Sequence, residues 1–309
     1  MQMTEIASGL RFPEGPIAFP DGSFVLVEQE RQTLSRVTRS GKIEVIARLD
    51  GCPNGAAVGP DGKIYVCNNG GARWIEVDGR VVPAGHSADY SGGRIERVDP
   101  TSGEVEVLYR SCNGQPLYAP NDLVFDRSGG FYFTDTGRVL PRRRECAGIY
   151  YARHDGSAIQ EVVYPVDLGN GIGLSADEST LFVSETLTGR LWAFELAKPG
   201  EIIRSAQTGL LDFFPGRLVA GLPGLQLFDG LALDEEGHVN VATLMNGGIT
   251  SISQDGQRIQ HRATQDFLTT NICFGGPAMS TAYITLGSMG KLVKAEWHCP
   301  GLKLNFLNT

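Results

Sequence analysis

Signatures of soft-metal sites and of covalent nucleophiles are missing from this sequence. Its six cysteines (Cys52, Cys67, Cys112, Cys146, Cys273 and Cys299) form no CxxC pair, so neither a zinc knuckle nor a dense disulfide framework is indicated. Reduced thiols in a cytoplasmic protein are the expectation. There is no HExxH, which removes the zincin arrangement, and no GxSxG elbow or evident Ser-His-Asp set, which removes the common serine hydrolase. Long apolar runs are absent too. Nothing is long enough to cross a bilayer, and Met1–Leu10, with Glu5 in it, lacks the basic start and apolar core of a signal peptide. Basic residues are outnumbered, 27 Lys and Arg against 35 Asp and Glu, for a net charge of −8 and a pI near 5.2. That balance excludes the basic face of a nucleic-acid binder and suits a cation site.

What the sequence has instead is one pattern written six times. Its clearest copy, Ala119 to Asp135, is a polar head at Asn121, an apolar run, the Arg127-Ser128-Gly129 turn and a second apolar run. Equivalent heads are Glu14, Asn54, Asn170, Asp229 and Asn271, and every head is a carboxylate or a carboxamide. Turns follow at Pro20-Asp21-Gly22, Pro60-Asp61-Gly62, Ala176-Asp177-Glu178, Glu235-Glu236-Gly237 and Gly276-Pro277-Ala278. Second strands are predicted at Phe24–Glu28, Ile64–Asn68, Phe131–Asp135, Leu181–Glu185, Val239–Thr243 and Ala282–Leu286. Each copy is a hairpin. Heads recur every 40 to 67 residues, leaving room for about two more strands per copy, the arithmetic of a four-stranded propeller blade. The prediction is all-β: a six-bladed β-propeller forming one domain over residues 1–309, with residues 1–10 as an outer strand or tail that closes the ring.

Strand starts in a propeller converge at one end of its central channel, so the heads form one candidate site. Taken singly, each could be a turn residue bonding its own backbone. Asp122 stands out, because the residue after the other heads is Gly15, Gly55, Gly171, Gly230 or Ile272. Leu168-Gly-Asn170-Gly-Ile-Gly173 has a misplaced third glycine and no following helix, so it is no dinucleotide fingerprint. Val82–Gly93, with His86, Asp89 and Tyr90, is a candidate loop over the mouth, and Gly137–Glu145 concentrates four arginines in a second loop. That run reads as a solvated face ahead of an anion-recognition loop.

Two carboxylates and several amides on one axis suit a hard divalent cation with oxygen ligands. None of the five histidines occupies a head position, which argues against a soft zinc site. Metal-assisted attack by water is the simplest mechanism.

Pro120 to Asp135, together with Phe12-Pro-Glu14-Gly-Pro, Asn170-Gly, Asp229-Gly-Leu and Thr270-Asn-Ile-Cys-Phe-Gly-Gly276, resembles the SMP-30/gluconolactonase/regucalcin-like family of sugar-lactone hydrolases, over nearly the whole chain. The resemblance implies a six-bladed propeller with one divalent cation at the channel mouth, held by Glu14, Asn121, Asn170 and Asp229. Ca²⁺ is the first choice of cation, with Mg²⁺, Mn²⁺ or Zn²⁺ as alternatives. It further implies hydrolysis of a small-molecule lactone by activated water, with Asp229 or Asp122 as the base, and with no nucleic-acid or membrane partner. Asn54 and Asn271, the remaining heads, are candidates for contact with substrate. Some sugar-lactone members place an Arg two residues before the ligand Asn, where this chain has Ala119, so a sugar substrate does not follow. The alternatives are a phosphotriesterase-like hydrolase, a condensing enzyme like strictosidine synthase, or a metal-containing platform for binding a ligand or partner.

Overall fold

A computed structural model describes residues 1–204 and 215–308, and every regular element in it is a strand. Alternating apolar residues between Gly and Asp-Gly turns give six antiparallel sheets. The first blade is Pro13–Ala18, Phe24–Glu28, Thr33–Val37 and Ile43–Arg48. Blade two is Pro53–Val58, Ile64–Asn68, Arg94–Val98 and Val105–Tyr109, and blade three is Pro120–Phe125, Gly130–Asp135, Ala147–Arg153 and Ile159–Val166. Blade four has Gly169–Leu174, Thr180–Glu185 and Arg190–Lys198, with two outer pieces, Glu201–Ile202 and Arg217–Gly221. Blade five is Leu227–Leu233, Val239–Leu244, Gly248–Ile252 and Ile259–Ala263. Blade six takes Thr269–Gly275, Thr281–Leu286 and Lys291–Glu296, and its outermost strand is Thr4–Ser8 from the chain's other end.

That pairing closes the ring and leaves no inter-blade edge open. Each innermost strand abuts the next all the way round, blade six meeting blade one. The core fills the gaps between neighbouring blades. Val124, Tyr132 and Ile149 of blade three, for instance, pack with Ile172, Leu181 and Phe194 of blade four. Residues 205–214, within the irregular stretch Pro199–Gln226 that leads into blade five, lie outside the described residues, as does the side chain of His86.

Two stretches expected to be loops carry hairpins. Ala72–Val77 pairs with Arg80–His86 around Asp78-Gly79, whose φ angles of 49° and 72° are the two positive values a type I′ turn requires. Arg138–Leu140 pairs with Arg143–Glu145. The arginines there are largely committed: Arg138 and Arg143 to Glu145, and Arg144 to Asp167. Arg138 also lies 4.0 Å over the Tyr90 ring. This is a paired, structural face.

Every blade carries one extra residue on its innermost strand at the head. Pro120 opposes Asp135 and Leu123 opposes Phe133, so Asn121 and Asp122 share the single partner Thr134. The same shift falls after Pro53, Gly169, Phe228 and Thr269, and one residue later, after Glu14, in blade one. Such a bulge turns side chains out of the pleat, here toward the channel. It also corrects the repeat in blade six. Thr269 opposes Leu286 and Asn271 opposes Thr285, so Thr270 is the true equivalent of the heads and Asn271 the equivalent of Asp122.

The lower end of the channel is crossed by the C-terminal tail. Leu302 N–H donates to the Leu233 carbonyl (2.9 Å), and the Asn305 amide donates to Phe125 O (3.1 Å) and Glu178 Oε1 (2.7 Å). Leu302, Phe306 and Leu307 join the cores of blades five, three and one. Between tail and heads lies a cavity of about 160 Å³ whose walls include Ile17, Val58, Val124, Leu174, Leu233 and Cys273.

The residue following the head must be small where the next blade passes closest. A Cβ on Gly171 would lie 2.6 Å from the Asp229 carbonyl oxygen and 2.7 Å from Leu231 N, both rigid backbone atoms. Gly171→Ala is expected to destabilise the fold by about 1–3 kcal/mol, read as a lowered denaturant midpoint with an unchanged slope. An unchanged midpoint would contradict this packing.

Candidate functional site

The five in-register polar heads, Glu14, Asn54, Asn121, Asn170 and Asp229, are all buried at the upper end of the channel. Their approach loops are tied down by polar groups at the ends of the second strands. Asp135 accepts from Tyr118 N (2.7 Å), Ala119 N (2.8 Å) and Gly137 N (2.8 Å). Asn68 Oδ1 accepts from Cys52 N (3.0 Å) and Gly70 N (3.0 Å). Glu28 accepts from Arg11 N (2.9 Å), and Glu185 from Asp167 N (3.1 Å). These tethers satisfy buried N–H groups and fix the backbone two or three residues before Glu14, Asn54, Asn121 and Asn170. Reading the sequence marked these positions only as strand ends. Their repetition as Glu28, Asn68, Asp135 and Glu185 was the available signal.

Glu14 Oε2 accepts from Gly15 N (2.6 Å) and from the Asn271 amide (2.9 Å), and among the described residues Oε1 has no hydrogen-bond partner. Asn271 Oδ1 accepts from Ile272 N (2.8 Å), just as Asp122 Oδ1 accepts from Leu123 N (2.9 Å). The Asn271 carboxamide also lies close enough to favour the charged Asp122 carboxylate against its burial. The two residues come from blades on opposite sides of the ring, so together they brace the channel beneath the heads. The glycines at the same position in the other four blades leave room for this. A side chain on Gly55 would run into the Asp122 carboxylate, and one on Gly230 into the Asn271 carboxamide. Both Asp122 and Asn271 line the cavity below, whereas the five heads do not.

Asn170 donates to Thr186 Oγ1 (3.1 Å), and its carboxamide favours the charged Asp229 carboxylate against burial. Asn170 and Asp229 are themselves positioned by hydroxyls from the preceding blade: Thr134 Oγ1 donates to Asn170 O (2.5 Å), and Ser184 Oγ to Asp229 O (2.8 Å). The Asn54 and Asn121 carboxamides have no hydrogen-bond partner among the described residues. The structure places the residues singled out in the sequence at one end of the channel and sorts them into a ring facing the mouth and a two-residue brace below.

Burial raises all three acids, and neighbouring charge adds to it at Glu14 and Asp229. Burial pushes Glu14 up to about 8 from 4.5, with the Asp122 charge adding to it against the Asn271 and Gly15 hydrogen bonds. Burial likewise lifts Asp122 to about 7 from 3.8. It holds Asp229 well above its ordinary value, with Glu14 and Asp122 contributing further. Oxygen donors around excess buried negative charge are the donor set a hard divalent cation needs.

The folded chain therefore binds these protons more tightly than the unfolded chain does. Stability is full below the ordinary carboxylate range and is lost as pH rises through the folded values, between about 4 and about 8. Chelator-treated protein is expected to have its highest melting temperature near the acid end of that window and to decline toward the alkaline end. Asp122→Asn should flatten the decline. A profile independent of pH would overturn the electrostatic account.

The profile of the family described as "SMP-30/Gluconolactonase/LRE-like region" matches residues 12–288. The gluconolactonase of Zymomonas mobilis is 29% identical over 297 residues, covering 87% of this chain and 75% of that one. Lactonase drp35 of Staphylococcus haemolyticus is 28% identical over 185 residues, 60% of this chain and 53% of its own. Among solved structures, a gluconolactonase from Xanthomonas campestris superposes with a TM-score of 0.73 at 23% identity, over 97% of this chain and 89% of that chain. A calcium-binding regucalcin from Agrobacterium tumefaciens superposes with a TM-score of 0.74 at 17% identity, over 100% and 97%; at these identities the two structures establish the fold. With three-stranded-or-wider blades closed into a ring of six and the profile spanning all of them, the chain belongs to the SMP-30/gluconolactonase/LRE-like family.

Proposed function

We propose that the protein hydrolyses a lactone at the upper end of its channel, with a divalent cation held by Glu14, Asn121, Asn170 and Asp229. The observation that carries this reading is the convergence of Glu14, Asp122 and Asp229, each pushed up by burial, among carboxamides with oxygen to spare. Kinship with proteins named gluconolactonase and lactonase supports the reaction class. A cation bound there would polarise the lactone carbonyl and acidify water. Ca²⁺ fits the all-oxygen donor set best, with Mg²⁺, Mn²⁺ and Zn²⁺ as the alternatives to test.

The chain's own residues do the rest. Asp229, whose backbone carbonyl is held by Ser184, accepts the proton of the attacking water. Asn271 holds Glu14 through Oε2 and leaves Oε1 turned to the ring, which makes it a positioning residue for Glu14. Asn54, with no partner of its own, offers its carboxamide to the substrate. Asp122 is the alternative base, and its place in the brace below the heads favours an electrostatic role. The rim on the blade-one side is apolar: Phe12, Trp74, Val81, Val82, Leu244 and Leu268 pack together there. With Ala119 in place of a rim arginine, this suits a lactone carrying an alkyl or aromatic substituent better than a polyhydroxylated aldonolactone.

The test is proton release from aldonolactones, aliphatic lactones and aromatic lactones, using chelator-treated protein before and after each cation is restored. Hydrolysis that needs the cation and favours the less polar rings is the expected result. Tight cation binding without turnover of any lactone would defeat the proposal. Asp229→Asn should lower kcat by about 10²–10⁴ with the fold intact, and Asp122→Asn by clearly less. The reverse ranking would move the base to Asp122.

A further inference from the structure

A second cluster of metal-ligating side chains lies at the other end of the propeller. Asp234 and His238 flank the turn between the first two strands of blade five, and His298 follows the strand Lys291–Glu296 of blade six. One ligand atom from each of the three falls within 4.8 Å of the others. Asp234 stands five residues along the strand from Asp229, roughly 17 Å at an extended rise, so this cluster is separate from the heads.

Its chemistry differs as well. The heads offer oxygen alone, whereas two imidazoles and a carboxylate select a borderline transition ion. Asp234 is fully buried and already oriented, Oδ1 accepting from His238 N (2.8 Å) and Oδ2 from the Asn240 amide (3.2 Å). His238 is half-buried, His298 is exposed, and their rings stand edge to face at 6.1 Å. Glu236, exposed on the same turn, has Oε2 3.8 Å from His238 Nδ1 and can complete the shell together with water. One group opposes the site: Arg262 Nη2 is 3.3 Å from His298 Nδ1. A metal at His298 must displace that contact, while Arg262 keeps Ser251 (2.9 Å), Gln260 (2.7 Å) and the Trp297 ring (4.8 Å) as partners.

We propose that Asp234, His238 and His298, with Glu236 at the rim, form a Zn²⁺-class transition-metal site that clamps the blade-five turn to blade six where the C-terminal tail departs. The backbone is already continuous there. Glu235 N–H donates to Pro300 O (2.8 Å), and Asp234 bridges to Gly301. A metal adds a side-chain link to the anchor of the tail that crosses the channel, and it stabilises the folded chain by mass action.

The probe is Co²⁺ alone, titrated into chelator-treated full-length protein with Ca²⁺ in excess to occupy the heads, and followed by the visible absorption of Co²⁺ bound to imidazole. One equivalent of bound Co²⁺, displaced by Zn²⁺, is expected, and Zn²⁺ should raise the melting temperature. His298→Ala should weaken binding at least about tenfold, the loss that removing even a hydrogen-bond partner of a ligating imidazole brings. His238→Gln with His298→Ala should abolish it, and Arg262→Gln should tighten it. Lactone turnover in Ca²⁺ should be unchanged in His298→Ala, so failure of this site and failure of the lactonase reading remain distinguishable. No Co²⁺ absorption in the wild type, or equal binding by the double variant, would overturn the proposal.

Discussion

Burying several carboxylates in one layer without a counter-charge works against folding, and the upper half of this propeller is built around that constraint. Glu14, Asp122 and Asp229 come from three different blades. Only a closed ring brings them into one another's field. The bulge at each head turns the side chain inward, the glycines behind the heads let neighbouring blades close up, and the tethers from Glu28, Asn68, Asp135 and Glu185 stop the approach loops from relaxing outward. Asp135 itself is raised to about 6 by burial even though three N–H groups bond to it. The energetic cost is thus spread over a supporting layer as well as the site.

The two layers of polar groups divide the work. Above, heads with spare oxygen face the mouth, beside an apolar rim supplied largely by the hairpin Ala72–His86. Below, Asp122 and Asn271 reach across the ring and take up the space that four glycines leave. A cation bound by the heads would rest over this brace, and its charge would oppose the burial that now raises the Asp122 carboxyl.

The repeated hairpins were legible because head, turn and second strand each carry a local signal; Phe24–Glu28 and Ile64–Asn68 were read with their observed bounds. Closure by the first strand followed from the edge problem any propeller faces. The register of blade six did not follow. Thr270 and Asn271 are both polar, and only the pairing with Leu286 and Thr285 shows which one opposes the bulge. The hairpin at Ala72–His86 has a local signal in Asp78-Gly79 between Trp74-Ile75 and Val81-Val82. Asp234, His238 and His298 leave no mark in the sequence, since their proximity is made by contact between two blades rather than by spacing.

The hydrogen bond from Asn271 to Glu14 joins residues 257 positions apart. During synthesis from the N-terminus, the first blade therefore exists for most of the chain's production without the partner that holds its carboxylate, and Asp229 and Asp122 arrive in separate blades. The repulsion among the three acids is deferred to the moment the ring closes. The three carboxylates meet only when the ring is complete, with Thr4–Ser8 paired to Lys291–Glu296.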